Sequence, residues 1–458
     1  MGFGLGLIHG RVEYTPKTAE VIYNCNLCGA CDVSCKYAME FDVLEPLYAM
    51  REECVKSGQT VPVWDKLVKT MQKQGPLIVG ATAKKGQWFK DLTVKDYARE
   101  KTGVIYHAGC LASYDKAAGK VAAAAVSLLG KAKIDVGIAK DGELCCGGRA
   151  YEMGYRDEAL KQAELNVARF KESGATDLVT GCAHCYQYYK VLYPKLGLDP
   201  GVKVWHITEY LAQLVEKGEL KPTKPVNMTV TYHDPCHLGR LSEPWIAWEG
   251  VQRERHMRVY DPPRTLRRGT HGVYEPPRDV LKSIPGLKLV EMERIREYAW
   301  CCGAGGGVRE TNPEFAQFTA AERMKEAEAS GAEALVTACP HCISNLQGCG
   351  SNLADGDDAG GGAAGGRDGA VGDGTGDVGD ERGLDAPVEL TVDHRGGGGG
   401  RAGGDQGHQG CDQGGEKRHG PARAGDGAAH RVASTRIRVE ELRGHDPGRG
   451  REVQHDRS

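Results

Sequence analysis

The 458-residue chain has no apolar stretch of the length that a membrane helix needs; its best run, residues 121–129, is half of one. No basic segment followed by an apolar core opens it, so a secretory leader is not expected. No charge sign prevails: 59 Lys+Arg against 62 Asp+Glu leave a net −3, which argues against a nucleic-acid reader. The early glycines, Gly2, Gly4 and Gly6, follow no strand and make no dinucleotide-binding fingerprint. These absences leave a cytoplasmic globular protein without a membrane span of its own.

Residues 347–458 lack still more. They hold no Phe, Tyr or Trp and one lysine, Lys417, yet 31 of the 64 glycines. The five glycines at 396–400 fix no backbone angle and bury nothing, so disorder is expected, with one short helix near 432–442. Two origins stay open. One is a natural flexible tail. The other is text outside the intended reading frame, because Gly, Ala, Arg, Asp and His are what GC-rich codons give out of register.

What the chain does have is cysteine: 17 residues, 16 of them before position 350. Ten fall into two matching sets, Cys110/Cys145-Cys146/Cys182-Cys185 and Cys236/Cys301-Cys302/Cys339-Cys342. Pair and Cys-x2-Cys are 36 residues apart in the first set (146 to 182) and 37 in the second (302 to 339). The lone cysteine precedes its pair by 35 residues in one and 65 in the other, so the second copy carries an insert. The Arg-, Pro- and Gly-rich stretch 245–277 reads as that insert, a surface excursion. Residues 173–185 align with 330–342 at a constant offset of 157.

Periodicity predicts helices over 160–172 and 315–329, stopped at Gly174 and Gly331, then buried strands at 177–180 and 334–337. Short β-like runs, 103–106 and 230–232, precede the lone cysteines. Each copy is thus an α/β unit with its cysteines in loops beyond the carboxyl ends of parallel strands, where such folds build sites. The first copy continues with a helix at 186–193, a strand at 202–206 and a helix at 208–217. The second turns Gly-rich, and is expected to miss its last strand and helix and to leave an exposed edge.

Three chemistries compete for the two sets. Disulfides suit neither the missing leader nor an adjacent Cys-Cys pair. Structural zinc takes four ligands where each set offers five thiols. Iron–sulfur chemistry uses all five, and is preferred; a zinc-stabilised scaffold is the alternative. Gly147-Gly148 and Gly303, with Gly305-Gly306-Gly307, are expected to clear side chains from the cluster and bring N–H groups to sulfide. His184 and His341 sit inside the Cys-x2-Cys loops, as loop packing or as proton donors of near-neutral pKa, not as ligands. Tyr298 and Trp300 beside Cys301 read as core packing or as substrate contacts.

Upstream, Cys25-x2-Cys28-x2-Cys31-x3-Cys35 is the bacterial ferredoxin run, with Lys36 where proline is usual. In two-cluster ferredoxins the fourth cysteine serves the other cluster, and no second run follows. Cys35 closes its own cluster, or Cys54 completes the site, or the partner run lies ahead of Met1. Helices at 16–23 and 43–56 flank the run and suggest a helical ferredoxin module.

The ten-cysteine pattern resembles the twin CCG domains of heterodisulfide reductases. With Cys25–Cys35 in front, the order resembles that of the D-type family, and of its relatives in sulfite-reduction and benzoyl-CoA reductase electron-transfer complexes. The resemblance implies a noncubane [4Fe-4S] cluster on Cys110, Cys145, Cys146, Cys182 and Cys185, and another on Cys236, Cys301, Cys302, Cys339 and Cys342. It implies a cubane 4Fe-4S site at Cys25, Cys28, Cys31 and Cys35, in a module that the family carries with two runs in tandem. The implied activity is electron relay from the cubane to the CCG clusters for disulfide/thiol redox chemistry, or pure electron transfer to a separate catalytic protein such as a benzoyl-CoA reductase. Implied partners are a membrane quinone-linked cytochrome, which would make the protein peripheral to the cytoplasmic membrane, or a soluble flavin/ferredoxin complex. The expected organisation is α/β: a ferredoxin-like module (1–60, N-terminally incomplete), a linker (61–101), two CCG domains (102–225 and 226–346, the second C-terminally incomplete) and a disordered tail (347–458).

Overall fold

The computed structural model describes residues 2–353, apart from 40, 76, 78–85, 141, 247, 255–257 and 265–266. Most of the expected tail, 354–458, including the helix expected at 432–442, lies outside the described residues. Residues 347–353, read as the start of that tail, instead finish the helix Pro340–Leu353, where Cys349 packs into the core of the second half.

Two parallel sheets carry the fold. The first is β1 (Lys95–Asp96), β3 (Val136–Ile138), β2 (Val104–His107), β4 (Asp177–Thr180) and β5 (Lys203–His206), in that spatial order. The second is β10 (Ala334–Thr337), β6 (Met228–His233) and β9 (Leu287–Val290). Both share one three-strand centre: β4-β2-β3 in the first and β10-β6-β9 in the second. Register follows the repeat, with Val104 opposite Asp177 and Val230 opposite Ala334.

The helices repeat as strictly as the loops. Arg156–Ser173 buries Ala159, Ala163, Val167 and Phe170; Pro313–Ala329 buries Ala316, Ala320, Met324 and Ala327, each 157 positions on. That i, i+4, i+8, i+11 stripe is what a helix lays against a sheet. The first helix stops at Gly174, whose φ of 73° is the left-handed conformation that glycine adopts without strain. The helix expected at 186–193 is present within a continuous helical run over 183–195 that contains a π turn at Tyr188–Leu192.

Four helices, Gly2–Ile8, Pro16–Tyr23, Ala30–Met39 and Leu44–Lys56, form the N-terminal region. The stretch read as a linker is structured. Pro62–Gln74 is a helix that buries Trp64, Val68 and Met71, and Lys95–Asp96 is the edge strand beside β3. One apolar core runs from Ile22, Leu44 and Trp64 into Met153, Phe170 and Tyr189, so these helices and the first half bury each other. The insert in the second half forms the exposed antiparallel hairpin β7 (Val251–Glu254) and β8 (Arg258–Asp261).

Among the described residues no strand pairs with the outer side of β10. Its residues are nonetheless buried or half-buried, and Val204 of β5 packs against the core that contains Leu335. No helix of the described residues is long and apolar enough to cross a membrane.

Candidate metal centre

The first pentad hangs on loops at the carboxyl ends of β2 and β4. Past β2 the chain turns at Gly109 (φ 86°), where a Cβ would meet Cys185 Sγ at 3.4 Å, and delivers Cys110 at the start of the helix Cys110–Tyr114. Glu143 accepts the N–H groups of Ala108 (2.9 Å) and Gly109 (2.7 Å) and fixes that turn. Past β4, Cys182 precedes the helix Ala183–Gln187, which presents Cys185. The adjacent pair is held by its carbonyls: Asn166 Nδ2 donates to Cys145 O (2.8 Å) and Tyr193 Oη to Cys146 O (3.0 Å). The five thiols form one hydrogen-bonded row, Cys110, Cys145, Cys146, Cys185, Cys182.

The second pentad repeats this order: Cys236, Cys301, Cys302, Cys342, Cys339. Asn345 Nδ2 holds Cys302 O at 2.7 Å. The residue after each pair donates its N–H to the first sulfur, Gly147 to Cys145 (3.4 Å) and Gly303 to Cys301 (3.3 Å). Gly148 likewise donates its N–H to Cys146, and the glycines of these loops also serve packing. A Cβ at Gly148 would overlap the Tyr188 ring, and Gly305 and Gly306 admit the carbonyls of Asn26 and Cys25. N–H groups thus reach sulfur at Gly147, Gly148 and Gly303, and the glycines also let neighbouring segments approach the loop.

Donor chemistry decides which group these rows fit. Burial favours a neutral thiol, but hydrogen bonds within each row favour the thiolate at some positions; Cys146 is brought down to about 6 by those from Cys145 and Cys185. Buried thiolates need a cationic partner. One zinc ion would leave the fifth sulfur unused, whereas an iron–sulfide core accepts all five. The residues present fit an iron–sulfur group.

In the N-terminal run, Cys31 and Cys35 lie one turn apart on Ala30–Met39, and Cys31 is within electrostatic reach of Cys25, Cys28 and Cys35. Cys54 is elsewhere, fully buried in the company of Tyr14, Tyr23 and Arg51. Lys36, in the usual proline position, pairs with Asp32 (2.5 Å) and Asp42 (3.6 Å). The Cys28 thiol hydrogen-bonds with Cys301, so this run abuts the second pentad.

The two pentads face each other across a stack of imidazoles. The His184 ring lies 3.7 Å from that of His237 and 4.7 Å from that of His341. Each loop histidine reaches the other copy: His184 Nδ1 is 3.7 Å from Cys339 Sγ, and His341 bonds with Cys182. Burial and the neighbouring histidines hold His184 well below the usual imidazole pKa. His237 bridges Cys236 (3.3 Å) and Glu152 (3.0 Å). Burial works against a charged His237, but Cys236 and Glu152 outweigh it and raise its pKa well above the ordinary value.

The family model for the cysteine-rich CCG domain matches residues 104–188 and 259–347. The D subunit of the dihydromethanophenazine:CoB–CoM heterodisulfide reductase of Methanosarcina acetivorans is 34% identical over 333 residues, 71% of this chain and 72% of the relative. Its counterpart in Methanosarcina barkeri is 32% identical over 351 residues, 74% of this chain and 76% of the relative. The chain belongs to the D-type heterodisulfide reductase family. The B subunit of the fumarate reductase (CoM/CoB) of Methanothermobacter marburgensis, at 30% over 325 residues, covers 70% of this chain and 56% of that protein.

As a D-type heterodisulfide reductase chain it is an iron–sulfur oxidoreductase of the CCG class. Among the described residues three compact groups could hold a metal ion: Cys182/His184/His341, His233/Cys302/Cys342 and Glu152/His184/His237, with the donor atoms in each within 4.8 Å of one another. Sequence pattern alone singles out none of His233, His237 and Glu152 as site residues. A signal for His233 is present in the repeat Tyr106-His107-x2-Cys110 and Tyr232-His233-x2-Cys236. Glu152 carries no such mark; only the fold brings it to His237.

Proposed function

We propose that the chain relays electrons from a cubane [4Fe-4S] cluster on Cys25, Cys28, Cys31 and Cys35 to noncubane [4Fe-4S] clusters on the two pentads, for reduction of a disulfide to two thiols. The balance is RSSR′ + 2 e⁻ + 2 H⁺ → RSH + R′SH. The observation that carries this reading is the contiguity of the thiol sets: Cys28 touches Cys301, and His184 and His341 cross between the pentads.

The clusters, when bound, supply one-electron transfer and soft iron for sulfur. The chain's residues supply the rest. Burial of nine of the ten pentad cysteines keeps water from the reacting sulfurs. His237, held protonated by Cys236 and Glu152, stacks on His184 of the His184–His341 pair between the two sites, where a proton must reach each departing thiolate. Glu152 and Asn166 fix His237 and the Cys145 carbonyl, and so orient one ligand in each pentad. Exposed Cys31 is the edge at which a quinone-linked cytochrome, or a flavin/ferredoxin complex, delivers electrons.

Pure electron transfer to a separate catalytic protein is the second reading, favoured by the same contiguity. Anaerobic reconstitution with iron and sulfide, followed by EPR of the oxidised protein with and without thiols, separates the two. A noncubane signal perturbed by thiol supports disulfide chemistry. Cluster signals indifferent to thiol support electron transfer alone. Stoichiometric zinc without iron overturns both.

A further inference from the structure

Two buried guanidinium groups are held by backbone carbonyls and make no ion pair among the described residues. Among the described residues five arginines are buried. Arg278 pairs with Asp234 at 2.7 Å, Arg149 with Glu310 at 2.8 Å, and Arg323 with Glu326. Arg51 (0% exposed) and Arg240 (4% exposed) make no ion pair among the described residues. Both bond to backbone carbonyls. Arg51 Nη1 donates to Gly306 O (2.8 Å) and Glu152 O (3.1 Å), and Nη2 to Cys25 O (2.7 Å) and Ile22 O (3.3 Å). Arg240 Nε donates to Cys28 O (2.7 Å), and Nη1 to Glu297 O (2.6 Å) and Ala299 O (2.8 Å). The Glu152 carboxylate near Arg51 is engaged by His237.

A buried cation without a counter-ion is costly, and carbonyl dipoles offset only part of that cost. The groups within electrostatic reach include Cys25 and the Glu152 carboxylate that His237 already engages for Arg51, and Cys28, Cys236 and Cys301 for Arg240, so the thiols of the two neighbouring sites are what a bound cluster would turn into their counter-charge. Each arginine also grips both sides of the junction. One end holds the Cys25–Cys28 turn. The other holds the second pentad's loop, at Gly306 after the Cys pair or at Glu297 and Ala299 before it.

We propose that Arg51 and Arg240 are positioning residues that supply fixed counter-charge to the junction between the Cys25–Cys35 cluster and the second pentad, holding the two sites in contact and raising the potential at which an electron enters. The proposal rests on the reading that the Cys25–Cys35 run holds a cluster. Its physical content is preorganisation: the charge that balances the added electron is already in place, so reduction takes up no proton.

The test is an EPR-monitored redox titration of the anaerobically reconstituted full chain across neutral pH, with iron content measured in parallel. In the wild type the midpoint potential of the Cys25–Cys35 cluster stays level with pH. Arg51→Gln and Arg240→Gln lower it at unchanged iron content, and Arg51→Lys, which keeps the charge, stays near wild type. Wild-type potentials in both iron-replete Gln variants overturn the proposal, as does a wild-type slope of one proton per electron. That slope decides the matter alone if the Gln variants lose iron. A wild type with no cluster on Cys25–Cys35 sinks the earlier reading, and this one with it, through a different observation.

Discussion

A methyl group at Gly148 would lie 1.6 Å from the ring of Tyr188, in a loop that also carries Cys145 and Cys146. The Gly148→Ala variant is therefore expected to lose about 3 kcal/mol of stability, the overpacking cost of a site that cannot yield, read from urea denaturation. Ligand identity separates residues just as sharply. Cys302→Ser removes one donor of the second row, and iron content should fall by about one cluster per chain; Cys54→Ser should leave it unchanged, since Cys54 lies apart from every row. His206 gives a pH signature. Burial brings its pKa from 6.5 down to about 4. The unfolded chain then binds more protons in that window, so His206's share of stability is fully present above about pH 6.5 and is lost as pH falls toward 4. The loss is at most about 3 kcal/mol. His206→Asn, which still accepts at the helix start but cannot titrate, should flatten the urea midpoint across that interval.

At the scale of elements, the two halves obey one pattern, and the pattern is readable because it is local. The stripe Ala159/Ala163/Val167/Phe170 and its repeat 157 residues on need only helical period, and strands Asp177–Thr180 and Ala334–Thr337 need only a buried run between a glycine and a cysteine. The stretch 61–101 reads as a linker, yet Pro62–Gln74 carries an i, i+4, i+7 apolar stripe, Trp64, Val68 and Met71, that is legible in its period; what the sequence does not show is the core of the first half that this stripe fills. Among the described residues the hairpin β7–β8 pairs with no other strand. Replacing residues 250–262 with a short flexible linker should therefore leave iron content unchanged and shift the melting temperature by no more than a few degrees.

Across the whole molecule, the N-terminal helices and the first half share one core, so they should melt together in calorimetry. Iron removal by an anaerobic chelator should lower that transition, because the apo protein must keep two rows of crowded buried thiols without their cation. A chelated protein that melts at the holo temperature would mean that the rows are stable without metal.

Spacing, repeat and the ferredoxin run, by themselves, determined which cysteines group together and where the α/β units lie, because both patterns are local in the chain. Contacts between distant segments were decided only by tertiary structure. Glu152 meeting His237, His184 reaching Cys339, Cys28 touching Cys301, and Arg51 binding carbonyls at positions 22, 25, 152 and 306 depend on how two sheets and a helical module pack, which no local period encodes.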